Sequence, residues 1–272
     1  MKIGVIGTGN MGSVLIQAFI ESTAAAPSQL IITNRTKQKA DKFKEEFPEL
    51  HVADDALEVA DVADIIFVCV KPLDINPLLQ QISKNLSKEK LLVSITSPVS
   101  VEELESIVDC SVARAIPSIT NRALAGVSLL TFGASCEQGQ KEKLLALMGE
   151  ISKPYGIEEN ITRAASDIVS CGPAFFCYLT QCFIQAATEE TEISHEEATA
   201  FASEMLIGLG KLLEKGIYTL PELQDKVHVK GGVTGEGLSV LEAEVGDMFE
   251  KLYRKTHAKY AEDRKKVKSQ FN

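Results

Sequence analysis

Three glycines near the amino terminus, Gly7, Gly9 and Gly12, stand in G-x-G-x-x-G spacing. A turn of this kind can bind a pyrophosphate. The first glycine permits the tight turn, the second lets phosphate approach the backbone, and the third lets a helix pack closely on a strand. Unpaired amides at the following helix start, with the positive end of its dipole, supply the attraction. Gly7, Thr8, Gly9, Asn10, Met11 and Gly12 are therefore candidate dinucleotide contacts. A second candidate set is Asn34 and Arg35. An acid in this place would bind the ribose hydroxyls of NAD, whereas a guanidinium can pair bidentately with the 2′-phosphate of NADP. The expected cofactor is NADPH.

A second glycine cluster runs Gly231-Gly232-Val233-Thr234-Gly235-Glu236-Gly237. Glycines opening a helix form a nest of amides suited to a carboxylate. Thr234 carries the one hydroxyl inside the cluster and can both donate and accept. Lys230 adds positive charge just before it. No Ser-His-Asp or Cys-His set is legible. His195 and His257 read as surface residues, and His228, just before the loop, as a weak candidate.

The elements that must position these residues alternate. Ile3, Val5 and Ile6 form a buried strand ahead of the first glycine turn, and an amphipathic helix follows with Val14, Leu15, Ala18 and Phe19. Strands are expected at Leu30–Thr33, His51-Val52, Asp64–Val70, Leu91–Ile95, Ser111–Ala115 and Val127–Thr131, with helices at Gln38–Phe47 and Glu137–Ile151. Strands alternating with helices mean a doubly wound parallel sheet. Ligands of such sheets lie beyond the carboxyl ends of the strands, here the loops after Ile6, Thr33, Val70 and Ile95. The alternation stops near Tyr155-Gly156. After Asn160 only helices are expected: Gly172–Glu190, one from Ser194 to Gly216, a short one from Thr219, one from Leu238 to about Arg254, and a charged terminal one. Ser100, Ser194 and Thr219 each open a capping box. The Gly172–Gly216 pair is apolar over a broad face, which a second copy could cover. The expected division is residues 1–157 as an NADP-binding Rossmann domain and 158–272 as a helical dimerisation and substrate domain.

The chain has 272 residues with a net charge of −10, which excludes general nucleic-acid binding. Arg264-Lys265-Lys266 reads as a frayed helix end. Six cysteines without a C-x-x-C pair read as buried thiols of a reducing compartment. No stretch reads as long and apolar enough to span a membrane, and the fold starts at Lys2 with no leader ahead of it. A cytoplasmic protein is expected.

The order of motifs resembles the pyrroline-5-carboxylate reductases, NADPH-dependent enzymes of proline biosynthesis. The resemblance runs through Gly7-Thr-Gly-Asn-Met-Gly12, Val70-Lys71-Pro72, Arg114-x-x-Pro117, Gly172-Pro-Ala174 and Gly231-Gly-Val-Thr234, ahead of Leu238 and Leu241-Glu242. It implies a Rossmann domain with Val70, Lys71 and Pro72 at the cofactor, and a helical domain that interlocks into a homodimer or higher oligomer. It also implies a carboxylate-binding glycine loop, with Thr234 at the ring nitrogen. The chain departs from the family pattern in places. His228-Val229-Lys230 replaces Thr/Ser-Ser-Pro, Ser118-Ile119-Thr120 replaces Asn-Thr-Pro, and Ser97-Pro98 replaces Ala-Gly. Gln181 stands for an acid, and Glu204-Met205 for Gln-Thr. The pattern is nearer the ComER branch, the late-competence paralogues. The expected activity is hydride transfer to the C=N of a cyclic imino acid. The alternative is a non-catalytic NADPH-binding regulator. A 3-hydroxy-acid dehydrogenase would need a Lys between Asp167 and Ile193, where none occurs.

Overall fold

A computed structural model of the chain describes residues 1–271. Its first part is a sheet wound with helices. The elements are β1 Ile3–Ile6, α1 Asn10–Glu21, β2 Leu30–Thr33, α2 Lys37–Glu46, β3 His51–Val52, α3 Ala56–Val62, β4 Ile65–Val68, α4 Pro72–Ile82, β5 Leu91–Ser94, α5 Val101–Glu105, β6 Ser111–Ile116, β7 Val127–Phe132, α6 Gln138–Gly149 and β8 Lys153–Gly156. The strand order is β3-β2-β1-β4-β5-β6-β7-β8, so the order reverses between β1 and β4. A ligand crevice of such a sheet opens there.

The strands alternate their residues between two cores, as a pleated sheet covered on both faces must. Ile3, Val5, Ile32, Phe67 and Val93 pack with Leu15, Phe19, Leu144 and Met148 on one face. Ile6, Ile31, Ile66, Val68 and Leu92 pack with Ile75, Leu79, Leu104 and Val267 on the other. The expectation of a wholly parallel sheet fails at one edge. β7 runs antiparallel to β6, in register Ala113↔Phe132 to Ile116↔Leu129. The short connection between them lacks the length for a crossover helix. β8 then pairs parallel to β7; sequence reading ended the alternation at this strand instead of counting it.

The helical part comprises α7 Thr162–Ser166, a π-helical turn Asp167–Cys171, α8 Gly172–Glu190, α9 His195–Glu214, α10 Leu220–Val227, α11 Val233–Val245 and α12 Met248–Lys268. Ser194 and Thr219 close capping boxes with Glu197 and Glu222, and Gly216 ends α9 at φ +62°. The last two helices part at Gly246, φ +47°, and not near Arg254 as expected. A glycine turn needs no hydropathy change to interrupt a helix.

The chain groups into two compact units: Met1–Pro173 with the segment from Lys255 onward, and Ala174–Arg254. Packing groups α7, the π turn and the end of α12 with the first unit. The reason is visible at Val267, which is fully buried in the second sheet core. The expectation of no membrane-length segment also needs correction. Helix runs almost without break from Glu159 to Glu190, and one 18-residue window there reaches a mean hydropathy of 1.3. By length and composition this helix could cross a membrane. The π turn carries the helix through Asp167–Cys171, so the stretch is longer than the run from Gly172 suggests.

Candidate functional site

The first unit holds the glycine turn, and its three glycines differ. Gly7 has φ +104°, and a Cβ there would lie 2.6 Å from the Cys69 carbonyl oxygen. At Gly12 a Cβ would lie 2.0 Å from the Gly7 carbonyl oxygen. The protein itself demands both glycines. At Gly9, with φ −74°, a Cβ would meet nothing within 4 Å. The fold does not ask for glycine at this exposed position, and the space beside it is open to an approaching ligand. Gly9 caps α1 without a side-chain bond, which leaves the first-turn amides of Asn10, Met11 and Gly12 without helical acceptors. The Thr8 hydroxyl is buried and has no hydrogen-bond partner among the described residues. An open cradle, free amides and an orphaned hydroxyl fit a pyrophosphate.

Asn34 follows β2 and ties it to this turn. Its Oδ1 accepts from the Thr8 amide at 3.0 Å, and its Nδ2 donates to the Thr36 carbonyl at 3.0 Å. Both ends of its amide are engaged by protein, so its role here is a strut. Arg35 is exposed and has no ion pair among the described residues, whereas the neighbouring cation Lys37 is committed to Asp54 at 2.7 Å. On the other side of β1, Val70 Cγ1 packs 3.4 Å from where a Gly7 Cβ would be. Lys71 caps α4 and Pro72 occupies its first turn, where the missing N–H costs nothing. Burial pushes the adjacent Cys69 thiol far up, so it stays protonated and unreactive.

Beyond β5 lies the loop Ile95–Ser100. Arg114, on β6, has a fully buried side chain beneath it. Its Nη2 meets Glu159 Oε2 at 2.6 Å, and its Nη1 reaches the carbonyls of Ser97 and Val99 at 3.2 and 3.4 Å. From α12, Tyr260 Oη donates to Ser97 O at 3.2 Å, and Arg264 Nη1 donates to Pro98 O at 2.7 Å and Glu103 Oε2 at 2.6 Å. The reading of Arg264 as part of a frayed end is corrected: it is an anchored, half-buried cation. A cavity of about 370 Å³ opens beside this loop, lined by Ser97, Pro98, Arg163, Asp167, Tyr260 and Asp263 among others. Asp167, in the π turn, is buried; it accepts from Arg163 at 2.8 Å and from the Thr256 hydroxyl at 2.8 Å. Sequence reading missed Asp167, Tyr260 and Arg264 as architecture. The only signal was the i, i+4 spacing of Tyr260 and Arg264 on one helical face.

The second unit holds the other glycine cluster. Gly231 takes φ +74°, and Gly232 caps α11 without a side-chain bond. Val233 and Thr234 are the first residues of that helix, and both are exposed, as is Lys230. The Gly232 amide turns back to Val229 O at 2.8 Å. His228 Nε2 lies 2.9 Å from where a Cβ of Gly235 would be, so its ring packs over the helix start. His195 heads α9 at the surface, and half-exposed His257 lies 3.7 Å from Asp167. Among the described residues no group of His, Cys, Asp and Glu could hold a metal. Cys110 and Cys136 are buried, but Cys177 and Cys182 are exposed on the single chain, contrary to the expectation of six buried thiols. Both are on α8.

The sheet order, with a phosphate-fitting turn at the switch point and a cation at β2, defines the Rossmann-type fold of the NADP-linked oxidoreductases. Residues 2–98 match the family model described as NADP oxidoreductase, coenzyme F420-dependent, and residues 158–263 match that of pyrroline-5-carboxylate reductase dimerisation. The chain belongs to the pyrroline-5-carboxylate reductase family. It is 57% identical over 272 residues to ComE operon protein 4 of Bacillus subtilis (100% of both chains). It is 30% identical over 261 residues to pyrroline-5-carboxylate reductase 3 of the same bacterium (95% of both). The fold matches the pyrroline carboxylate reductase of Plasmodium falciparum, solved with NADP bound, with a TM-score of 0.83 at 22% identity, covering 100% of this chain and 98% of that one. The Coxiella burnetii reductase gives 0.83 at 22% identity, covering 99% and 98%.

Proposed function

We propose that the protein is an NADPH-dependent imine reductase that acts on pyrroline-5-carboxylate or a close cyclic imino acid and forms L-proline or its analogue. It works as a cytoplasmic homodimer. Residues 1–157 serve as the cofactor half and 158–272 as the substrate and dimerisation half. The observation that carries the reading is the second glycine cluster. A chain with a phosphate-fitting turn at Gly9 also keeps Gly231, Gly232 and Thr234 at the start of α11.

NADPH, when bound, supplies a hydride to the imine carbon. The chain's own residues do the rest. The α1 amides and Thr8 hold the pyrophosphate, and Arg35 pairs the 2′-phosphate. Amides at Gly231 and Val233 hold the substrate carboxylate, with the Gly232 turn shaping the loop and Lys230 adding charge. The Thr234 hydroxyl donates to the imine nitrogen as it gains electron density, which orients the ring and stabilises the transition state. Free thiols support a reducing compartment.

The test follows nicotinamide absorbance with pyrroline-5-carboxylate. Thr234→Val should lower the rate ~10–100-fold, about 1.4–2.7 kcal/mol, with NADPH affinity unchanged. Wild-type turnover by the variant removes Thr234 from the site. One observation favours a second reading. Identity is higher to ComE operon protein 4 than to the reductase, and His228-Val229-Lys230 changes the approach to the loop. If the wild type binds NADPH tightly and reduces no imine, the protein is an NADPH-responsive regulator instead.

A further inference from the structure

Three successive carbonyls after β5 are each held by a side chain from elsewhere in the sequence. Ser97 O accepts from both Arg114 and Tyr260, Pro98 O from Arg264, and Val99 O from Arg114. Loops rarely carry such fixation, because their carbonyls can be satisfied by water. Arg264 also grips Glu103 Oε2, the same oxygen that accepts from the Ser100 amide at 2.8 Å and so closes the capping box of α5. Burial pushes the Tyr260 phenol up, which keeps it a donor. The segment just after α12 reaches α4 as well. Asn76 Nδ2 donates to Gln270 O at 2.8 Å, and Gln270 Nε2 donates to Leu73 O at 3.1 Å, both on α4. Val267 is fully buried between these grips.

The strand order says which part of a dinucleotide these loops border. Arg35 lies past β2, on one side of β1, where the adenosine ribose and its 2′-phosphate belong. β4 and β5 lie on the other side of β1. The nicotinamide half must therefore run over their carboxyl ends, which carry Lys71-Pro72 and Thr96–Val99. We propose that the carboxyl-terminal turns of α12, with Arg114, form a clasp that fixes the Thr96–Val99 loop at the nicotinamide end of the crevice. Tyr260 and Arg264 are its positioning residues. The cavity of about 370 Å³ beside Ser97 and Pro98 is the space that an unclasped loop would collapse into.

The structural part of this proposal stands without the reductase reading; its effect on turnover rests on that reading. The experiment uses the full-length protein and three variants: Arg264→Met, Arg264→Lys and Tyr260→Phe. Hydrogen exchange is read on peptides covering residues 94–104, with peptides over β1 as the control for an intact fold. Arg264→Met should speed exchange in 94–104 by ~10–100-fold, the range for losing a charged hydrogen bond, and leave β1 unchanged. Tyr260→Phe should act in the same place more weakly, and Arg264→Lys should restore slow exchange. NADPH affinity, read from its own fluorescence, should stay within ~3-fold, while kcat for imine reduction falls ~10-fold. Unchanged exchange in 94–104 overturns the clasp whatever the activity. Faster exchange with an unchanged kcat, in a wild type that does reduce imines, overturns its role in positioning. A wild type that reduces no imine removes the reductase reading alone, and the exchange result still decides the clasp.

Discussion

The two units bury their apolar residues very differently. In the first, every residue of β1, β2, β4, β5 and β6 is buried, and two closed cores lie on the two faces of one sheet. In Ala174–Arg254 the buried hydrophobic residues are Ile184, Ala198 and Ala202. Phe176, Phe183 and Phe201 remain 63%, 68% and 65% exposed. The sequence of the second unit is no less apolar. It simply has no layer of its own chain to close against. Helices apolar over a broad face are stable when something covers that face, and the family's dimerisation module spans this region. The lesson is that the first unit closes its apolar faces within one chain, whereas the second leaves a face open of the kind that a dimerisation module covers.

The strongest way to break this comparison is Phe183→Asp. A twofold interface loses the side chain twice and buries two charges. At about 2 kcal/mol per lost aromatic face the dimer should weaken by at least ~1,000-fold. Sedimentation at micromolar concentration should then show monomer. A variant that stays dimeric at nanomolar concentration would mean that this face is covered by something else.

A second test works inside the first unit and separates what the fold needs from what a ligand needs. Gly12→Val puts a side chain onto the Gly7 carbonyl and should cost about 3 kcal/mol of stability or more, read as a fall in Tm. Gly9→Val meets open space. It should leave Tm within a degree or two and weaken NADPH binding at least ~10-fold. Equal Tm losses in the two variants would show that both glycines are structural.

The smallest effect is expected at Arg35, an exposed residue that neither core uses. Arg35→Asp should weaken NADPH binding by about 1.5 kcal/mol or more and leave NADH binding unchanged or slightly better. The chain has no Trp, so cofactor fluorescence is a clean probe. Equal wild-type affinities for the two cofactors would remove the guanidinium from recognition.

Local features were legible because local rules fix them. β2 and β3 fall on the expected residues, as does α8, and the capping boxes at Ser100, Ser194 and Thr219 all close. So was the glycine turn, since Gly7 and Gly12 are demanded by backbone approach. Features made by distant partners were not. Arg264 and Glu103 are 161 residues apart, and nothing in a basic run distinguishes a solvated cation from a pinned one. The antiparallel turn into β7 depends on which edge the chain returns to. The π turn at Asp167 inserts an extra backbone step without any residue type that marks it. Burial in the second unit was misread for Cys177 and Cys182 because hydropathy reports what a residue prefers, and a partner surface can satisfy that preference as well as a core does.

Those two cysteines give the molecule a clock. Cys177 and Cys182 share α8 with Phe176, Tyr178 and Phe183, on the surface that a lone chain leaves open. If a second copy covers this surface, a thiol reagent reaches them only while a subunit is separate, and each modified subunit then carries a bulky mark on the face it must close. Alkylation therefore counts dissociation events one by one. It would time subunit exchange in the unaltered protein, without a fluorophore, a tag or a substitution.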